Sequence, residues 1–473
     1  MKELFYPKSI AVIGASRNTS SVGYSVLKGL RSGGVLYSPF MEPFPGKIFA
    51  INPNADEIQG VKCYKNVLDI KDNIDLVIIC IPSTFVKQSI QDCVKKKVKY
   101  GIIITAGFGE YSDEGKKLQE EIVDIANKGN MRLVGPNCLG ILNTHANLNA
   151  SFAPTMPPKG GVAFLTQSGA LADSIIDWAA GEEYGMSKIV SLGNQSDLSI
   201  SDFLEYLGND KETKAIAIYI EGLKDGRRFI KIADKVLAKK PIVVLKAGRS
   251  QAGTKAVSSH TGSLAGSYTV YESILKQHGI QVVDTVDELF EVTKALSKQQ
   301  PAKENGIAII TNGGGCGVLC ADMCEHYGVK IVPFKESTIK KLDKDGKMHP
   351  AYSRNNPLDI VGDALPERYL SALDIVLGEN YIHGAIVIQT LQTMTDIIED
   401  AQLIVRMNKK YPKKPIVCNF MGGLHTQDGI KILKKNNVPS YNDPVKSARV
   451  MAALIEWGNT QKKHSGRKKM CIN

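Results

Sequence analysis

No run of about 18 apolar residues occurs in the sequence, so no segment reads as a membrane-spanning helix. The N-terminus, MKELFYPKSIAVIG, has no apolar stretch ending in a cleavage site, and we expect no signal peptide. There is no CxxC pair, and the nine cysteines are an odd number. That excludes a disulfide scaffold and suits a reducing cytoplasm. No Walker-A sequence is present, so no P-loop is expected. Disordered and collagen-like chains are excluded by a composition of 43% hydrophobic and 23% charged residues.

What is present is enough chain for about three domains at roughly 150 residues each, in 473 residues. The net charge is +11, from 59 Lys and Arg against 48 Asp and Glu. Such a balance suits nucleic acid or a small polyanion. The lysines are scattered in pairs over helix faces, as at Lys95–Lys97 and Lys239–Lys240, which reads as a solvated surface without nucleic-acid binding. Only QKKHSGRKKMCIN at the end is a basic run, and it reads as a frayed tail, 459–473. Cys316, Cys320 and Cys324 recur every four residues and fall on one side of a helix. They spread along about 12 Å of helix axis, which suits a core stripe and not a metal site; we expect no metal ligands in this chain.

Short apolar runs at 9–13, 48–51, 76–81, 101–105 and 131–134 alternate with amphipathic stretches. That alternation predicts an α/β fold with a parallel sheet covered on both faces. MPPKGG (156–161) and SKQQPAKENG (297–306) read as linkers, giving blocks at 1–145, 157–297 and 304–458. The second and third blocks resemble each other in three segments taken in the same order. GVAFLTQSGALAD matches GIAIITNGGGCGV, AIYIEGL matches AIVIQTL, and KKPIVVLKAG matches KKPIVCNFMG. We read an internal duplication in which Glu221 faces Gln389 and only the second block carries the loop SSHTGSLAG (258–266).

The first strand, turn and helix, SIAVIGASRNTSSVG, form an anion site of backbone N–H groups and helix dipole. A dinucleotide fingerprint wants glycine where Ser16 stands, and Gly23 comes late for it; the acidic residue after the second strand is replaced by Asn52–Pro53. The turn therefore predicts a Rossmann-like domain for a different nucleotide. CIPS (80–83), TAGFGE (105–110) and GPNCLGILN (135–143) place small or polar residues at further strand ends. Together they predict a long ligand across the carboxyl edge of the sheet.

TQSGA (166–170) and TNGGGCG (311–317) are two similar phosphate-sized turns in the duplicated blocks. Ser168 lacks the GxSxG elbow of an acyl nucleophile. His260 lies in a segment of small polar residues and glycines that buries nothing, and so can bring an imidazole to phosphorus. It needs a carboxylate to hold its far nitrogen, and Glu221, at a strand end, is the natural candidate.

The order GAS, INPN, CIP, TAGFGE, GPNCLG, TQSGA, IEG, SHTGSLAG resembles the α subunit of NDP-forming acyl-CoA synthetases, relatives of succinyl-CoA synthetase. The block containing NPLDIVGDA (356–364) is more similar to the ADP-forming acetate–CoA ligase type. The resemblance implies a Rossmann-like CoA-binding domain followed by two flavodoxin-like ligase domains. It implies CoA contacts from Gly14, Ala15, Ser16, Arg17, Val22, Asn52, Pro53, Cys80, Ile81, Pro82, Ala106, Gly107 and Asn137. It implies a phosphohistidine at His260, held by Glu221 and received by Gln167, Ser168, Gly169, Ala170, Gly313, Gly314 and Gly315. The nucleotide, with Mg²⁺, would bind an ATP-grasp partner subunit or domain, in an α₂β₂ assembly. Short acids, hydroxy acids or aryl acids all suit this framework. The competing readings are a CoA or acyl-CoA sensor without activity, an NAD(P)-dependent oxidoreductase, and a phosphohistidine carrier serving another enzyme.

Overall fold

The structure, a computed structural model, describes residues 1–261 and 267–470, apart from the side chains of 258–261 and 465–470. The described chain divides into two compact units, Met1–Val236 with Ile242–Asp284, and Leu237–Pro241 with Thr285–Asn473.

The first unit contains two sheets. The first is formed by β1 (Ser9–Ile13), β2 (Lys47–Ile51), β3 (Glu57–Ile58), β4 (Val61–Tyr64), β5 (Leu76–Ile79), β6 (Tyr100–Ile103) and β7 (Arg132–Val134), ordered β3-β4-β2-β1-β5-β6-β7. All neighbours are parallel except β3 and β4, a small hairpin turned by Gln59 and Gly60 at positive φ. Every residue of β1 is buried, which is why its apolar run is continuous and not alternating. Ala11, Ile13, Val77 and Ile79 pack with Val86, Ile90, Phe108 and Ile122 from the crossover helices and connections. The strand order reverses between β1 and β5, which opens a crevice at the carboxyl edge there.

The second sheet contains β8 (Gly140–Asn143), β9 (Leu148–Ser151), β10 (Lys159–Thr166), β11 (Met186–Ser191), β12 (Ala215–Ile220), β13 (Ile242–Lys246) and β14 (Gln281–Val283), ordered β14-β13-β12-β10-β11-β8-β9. The stretch 140–151, read from sequence as the end of the first block and the approach to a linker, is an antiparallel pair on the edge of this sheet. Its eight strand residues are all buried, so it carries none of the alternation that marks an antiparallel edge.

The second unit has one sheet: β15 (Ile307–Thr311), β16 (Leu358–Asp359), β17 (Gly384–Thr390), β18 (Ile416–Met421) and β19 (Ser440–Tyr441), ordered β16-β15-β17-β18-β19. Setting aside β8 and β9, the second and third sheets share one order, 2-1-3-4-5, the flavodoxin-like arrangement. The helix Val286–Lys298 packs within this second unit. Arg449 donates to Glu288 and Glu291 at 2.7 and 2.8 Å, and Tyr441 donates to the Glu291 carbonyl at 2.8 Å. The basic residues expected as a frayed tail continue a single helix, Pro444–Met470. Cys316, Cys320 and Cys324 lie on the helix Gly314–His326, with Cys320 and Cys324 buried and Cys316 half-buried. Among the described residues, no three His, Cys, Asp or Glu side chains come together as metal ligands, and no helix is long and apolar enough to cross a membrane.

Candidate active site

The residues expected at the ligand edge of the first sheet stand beyond five adjacent parallel strands, with Asn52–Pro53 after β2 and Asn137 after β7. Gly14 follows β1 at φ +92°, and a Cβ there would lie 2.7 Å from the Cys80 carbonyl oxygen, so only glycine lets the two strand ends approach. Gly23, which comes late for a dinucleotide fingerprint, supplies the close packing between helix and turn. A Cβ on it would fall 1.9 Å from the Gly14 carbonyl oxygen. The long turn between them moves the helix start to Ser21, whose hydroxyl accepts from the Tyr24 amide at 3.2 Å. Asn52 donates its amide to the Ala15 carbonyl at 2.8 Å, so the position that grips a ribose in dinucleotide folds here braces the turn. Arg17 reaches to the Glu57 carbonyl at 3.1 Å. Cys80 is half-buried, and burial pushes its thiol well above the usual range, which lowers its reactivity. After β6, Gly107 (φ +95°) and Phe108 donate to the Glu110 carboxylate at 2.6 and 3.1 Å. Burial opposes the Glu110 charge, but these amides and the Asn194 side chain hold its pKa below the usual carboxylate value.

In the second sheet the order reverses between β10 and β12, and TQSGA and Glu221 stand at the ends of those two strands. Gln167 forms a clamp. Its amide nitrogen donates to the Gly222 carbonyl at 2.8 Å, and its oxygen accepts from the amides of Gly222, at 3.0 Å, and Glu221. Thr166 closes the turn by accepting from the Ser168 amide at 3.0 Å and donating to the Ser168 carbonyl at 3.1 Å. Ser168 caps the helix Gly169–Gly181, its oxygen accepting from Leu171 at 3.2 Å. The space in front of the helix is open: a Cβ on Gly169 would meet nothing nearer than 3.8 Å. The first amides of that helix have no intrahelical acceptor and face a bound anion well.

Glu221 is 5% exposed. Beside it, at the end of β13, Lys246 is 4% exposed, donates to the Ala247 carbonyl and lies 4.9 Å from the centre of the Tyr271 ring. Burial lowers the Lys246 pKa, and the Glu221 charge works against that shift. Sequence reasoning missed Lys246; a lysine ending the otherwise apolar run IVVLK was the available signal. Asn194 and Lys224, also missed, join this region to Glu110, with Lys224 donating to the Asn194 and Gln195 carbonyls at 2.9 Å each.

In the second unit the turn after β15 repeats the clamp. Asn312 accepts from the Thr390 amide at 2.7 Å and donates to the Thr390 carbonyl at 2.9 Å, and Thr311 closes on Gly313 through two 3.0 Å bonds. Asn312 and Thr390 therefore correspond to Gln167 and Gly222. The charges differ. Gln389 replaces Glu221 and donates to a buried Asp400 at 3.1 Å, whose pKa burial raises to about 7. Asp359 and Ser191 hold equivalent register positions beside β15 and β10. A Cβ on Gly314 would lie 2.6 Å from the Asp359 carboxylate. Gly313 is the N-cap and Gly314 and Gly315 open the helix.

The backbone of His260 lies in the last turn of the helix Gln251–Thr261, where a loop was expected. Helix-compatible residues, QAGTKAV, carry the helix to this point after Ser250, whose hydroxyl accepts from the Gly253 amide at 3.0 Å. The His260 side chain and residues 262–266 lie outside the described residues.

Three family descriptions match consecutive parts of the chain: a CoA binding domain at 8–144, a succinyl-CoA ligase-like flavodoxin domain at 159–296 and a ligase-CoA domain at 307–464. The chain is 43% identical to the α subunit of acetate–CoA ligase (ADP-forming) II of Pyrococcus furiosus, over 96% of each chain. It is 44% identical to the acetate–CoA ligase (ADP-forming) of Methanocaldococcus jannaschii, over 97% of this chain, but spans only 63% of that longer relative. Among solved structures, the acetyl-coenzyme A synthetase 1 of Candidatus Korarchaeum cryptofilum, in complex with phosphate and ADP, superposes with a TM-score of 0.91 at 36% identity over 98% of both chains. With a Rossmann-like crevice, two flavodoxin-like sheets and a clamped glutamate at the switch point of the first of these, the chain belongs to the ADP-forming acyl-CoA ligase family.

Proposed function

We propose that this chain is the α part of an ADP-forming acyl-CoA synthetase, interconverting acyl-CoA, phosphate and ADP with carboxylic acid, CoA and ATP. The observation that carries the proposal is the Gln167 clamp, which pins Glu221–Gly222 beside the N-terminus of the helix Gly169–Gly181. A phosphate oxygen attacks the thioester carbonyl and CoA leaves as its thiolate. An imidazole nitrogen of His260 then attacks phosphorus, and the carboxylate leaves. Glu221 holds the far ring nitrogen and stabilises the imidazolium that forms. The helix amides at Gly169 and Ala170, with the Ser168 hydroxyl proton, receive the phosphoryl oxygens. Gly313–Gly315 would serve as the corresponding station in the second unit. CoA would lie across the first sheet, its phosphates at Gly14–Arg17 and Val22, with Asn52, Pro53, Cys80–Pro82, Ala106, Gly107 and Asn137 along its length.

The nucleotide step belongs to an ATP-grasp partner that also brings Mg²⁺. Support comes from the relatives designated subunit alpha and from longer relatives of which this chain spans 63 and 64%. We propose an α₂β₂ assembly in the cytoplasm, consistent with the free thiols. The test incubates the purified chain with acetyl-CoA and radiolabelled phosphate. Acid-labile, base-stable label is expected on the wild type and none on His260→Ala or Glu221→Ala. Label that persists in His260→Ala would refute the phosphohistidine.

A further inference from the structure

Two loops meet between the CoA-edge turns and Glu221 through an array of hydrogen bonds. The loop after β11 lies along the end of β7. Asn194 donates its backbone amide to the Pro136 carbonyl at 2.9 Å, Ser196 donates its amide to Gly135 at 3.1 Å, and Leu198 donates to Leu133 at 3.1 Å. Arg132 grips Asp197 with two nitrogens, the shortest distance 2.7 Å. Gly193 is required there, since a Cβ would lie 2.1 Å from the Pro136 carbonyl oxygen. Gln195 is held at φ +50°, and the carbonyls of Asn194 and Gln195 converge on a single ammonium.

The Asn194 side chain faces the first sheet. Its nitrogen donates to Glu110 and, at 2.8 Å, to Gln119, and its oxygen accepts from Asn137 at 3.3 Å. Glu110 in turn holds the amides of Gly107 and Phe108. The Asn194 carbonyl faces the other way, toward Lys224, three residues beyond Glu221. Among the described residues Lys224 forms no ion pair; its ammonium is held by carbonyls alone. A surface lysine gains little from such fixation, because ordering its long stem costs entropy. A lysine that must hold a loop gains a defined geometry. The segment Glu221–Lys224 is thus pinned at one end by Gln167 and at the other by Lys224, with the Leu223 amide donating to the Tyr271 hydroxyl at 3.1 Å.

We infer that Lys224 and Asn194 are positioning residues: they strap the Glu221 loop to the turns that receive CoA, so that the thioester and the phosphoryl acceptor are held in one frame. This rests on the reading of Glu221 and His260 given above. A displacement of about 1 Å in such a frame lowers turnover on the order of 100-fold without removing a reacting group.

The test measures initial labelling of the full chain by acetyl-CoA and radiolabelled phosphate, with thermal melting in parallel. Lys224→Met is expected to lower the rate at saturating substrates by roughly 10- to 100-fold while leaving KM for acetyl-CoA unchanged. Lys224→Arg, which keeps the donors, should recover most of that rate. Asn194→Ala should lower the rate and also raise KM for acetyl-CoA, because it releases the Glu110 turn as well. Lys231→Met, on the exposed face of the next helix, is the control and should match the wild type. A Lys224→Met chain that labels at the wild-type rate overturns the inference. So does a loss that Arg does not rescue and that tracks a fall in melting temperature. A wild type that takes no label on His260 refutes the functional reading instead.

Discussion

The two flavodoxin-like sheets are built on one plan but differ at the same turn, where the Glu221 carboxylate of the first is a neutral amide, Gln389, in the second. Each ends its first strand in a threonine that closes the turn, followed by an amide side chain that clamps the strand across the switch point. In the first copy that clamp presents Glu221 beside an open helix N-terminus. In the second, Gln389 is turned toward buried Asp400, and Asp359 stands close to the helix start. The backbone of a duplicated domain is retained because it is set by sheet order and hydrogen bonding. The charge at the turn is free to diverge because one side chain decides it.

Exchanging that side chain should have the largest effect. Glu221→Gln gives the first copy the polarity of the second, and His260 labelling should fall by at least about 100-fold, as for loss of a residue orienting a catalytic imidazole. Label at wild-type levels would break the comparison. The reverse exchange, Gln389→Glu, puts a second carboxyl against Asp400 and should destabilise the second unit by roughly 3 kcal/mol, read by chemical denaturation. Removing the clamps comes next. Gln167→Ala and Asn312→Ala each leave buried amide and carbonyl groups unpaired and should cost about 1–3 kcal/mol; only Gln167→Ala should also slow labelling.

Asp400 adds a pH dependence. Its folded pKa, about 7, is raised above the unfolded value of about 3.9, so the unfolded state binds fewer protons between those limits. Stability is therefore greatest below about pH 4 for this group and is lost as pH rises through 7, by up to about 4 kcal/mol. Asp400→Asn should flatten the difference in melting temperature between pH 5 and pH 8; an unchanged difference would assign it to other groups. The smallest effect is at the helix starts. Gly169→Ala meets open space and should be neutral or slightly stabilising, while Gly314→Ala forces Asp359 aside and should cost about 1 kcal/mol in unfolding free energy.

Much of this was legible in the sequence where periodicity and turn chemistry are local. The five parallel strands of the first sheet follow from continuous apolar runs, and the duplication follows from three matched segments. The edge pair β8–β9 was not legible, because burial on both faces removes the alternation that marks an antiparallel strand. The packing role of Gly23 was not legible for a related reason: it depends on a carbonyl nine residues away in sequence. Lys224 and Asn194 carry no motif, and their partners come from loops and a helix distant in sequence.

The sequence by itself determined the α/β class, the repeat, the glycine turns and the carboxylate at position 221. The class, the turns and the strand-end carboxylate are written in short local spacings, within the reach of local sterics and hydrogen bonding, and the repeat in three matched segments. Tertiary structure alone decided that Gln167 holds Glu221, that Asp400 shares Gln389, and that Asn194 and Lys224 meet between two sheets. Such contacts join residues 11 to 55 positions apart. Only the order of strands in a sheet fixes which ends become neighbours.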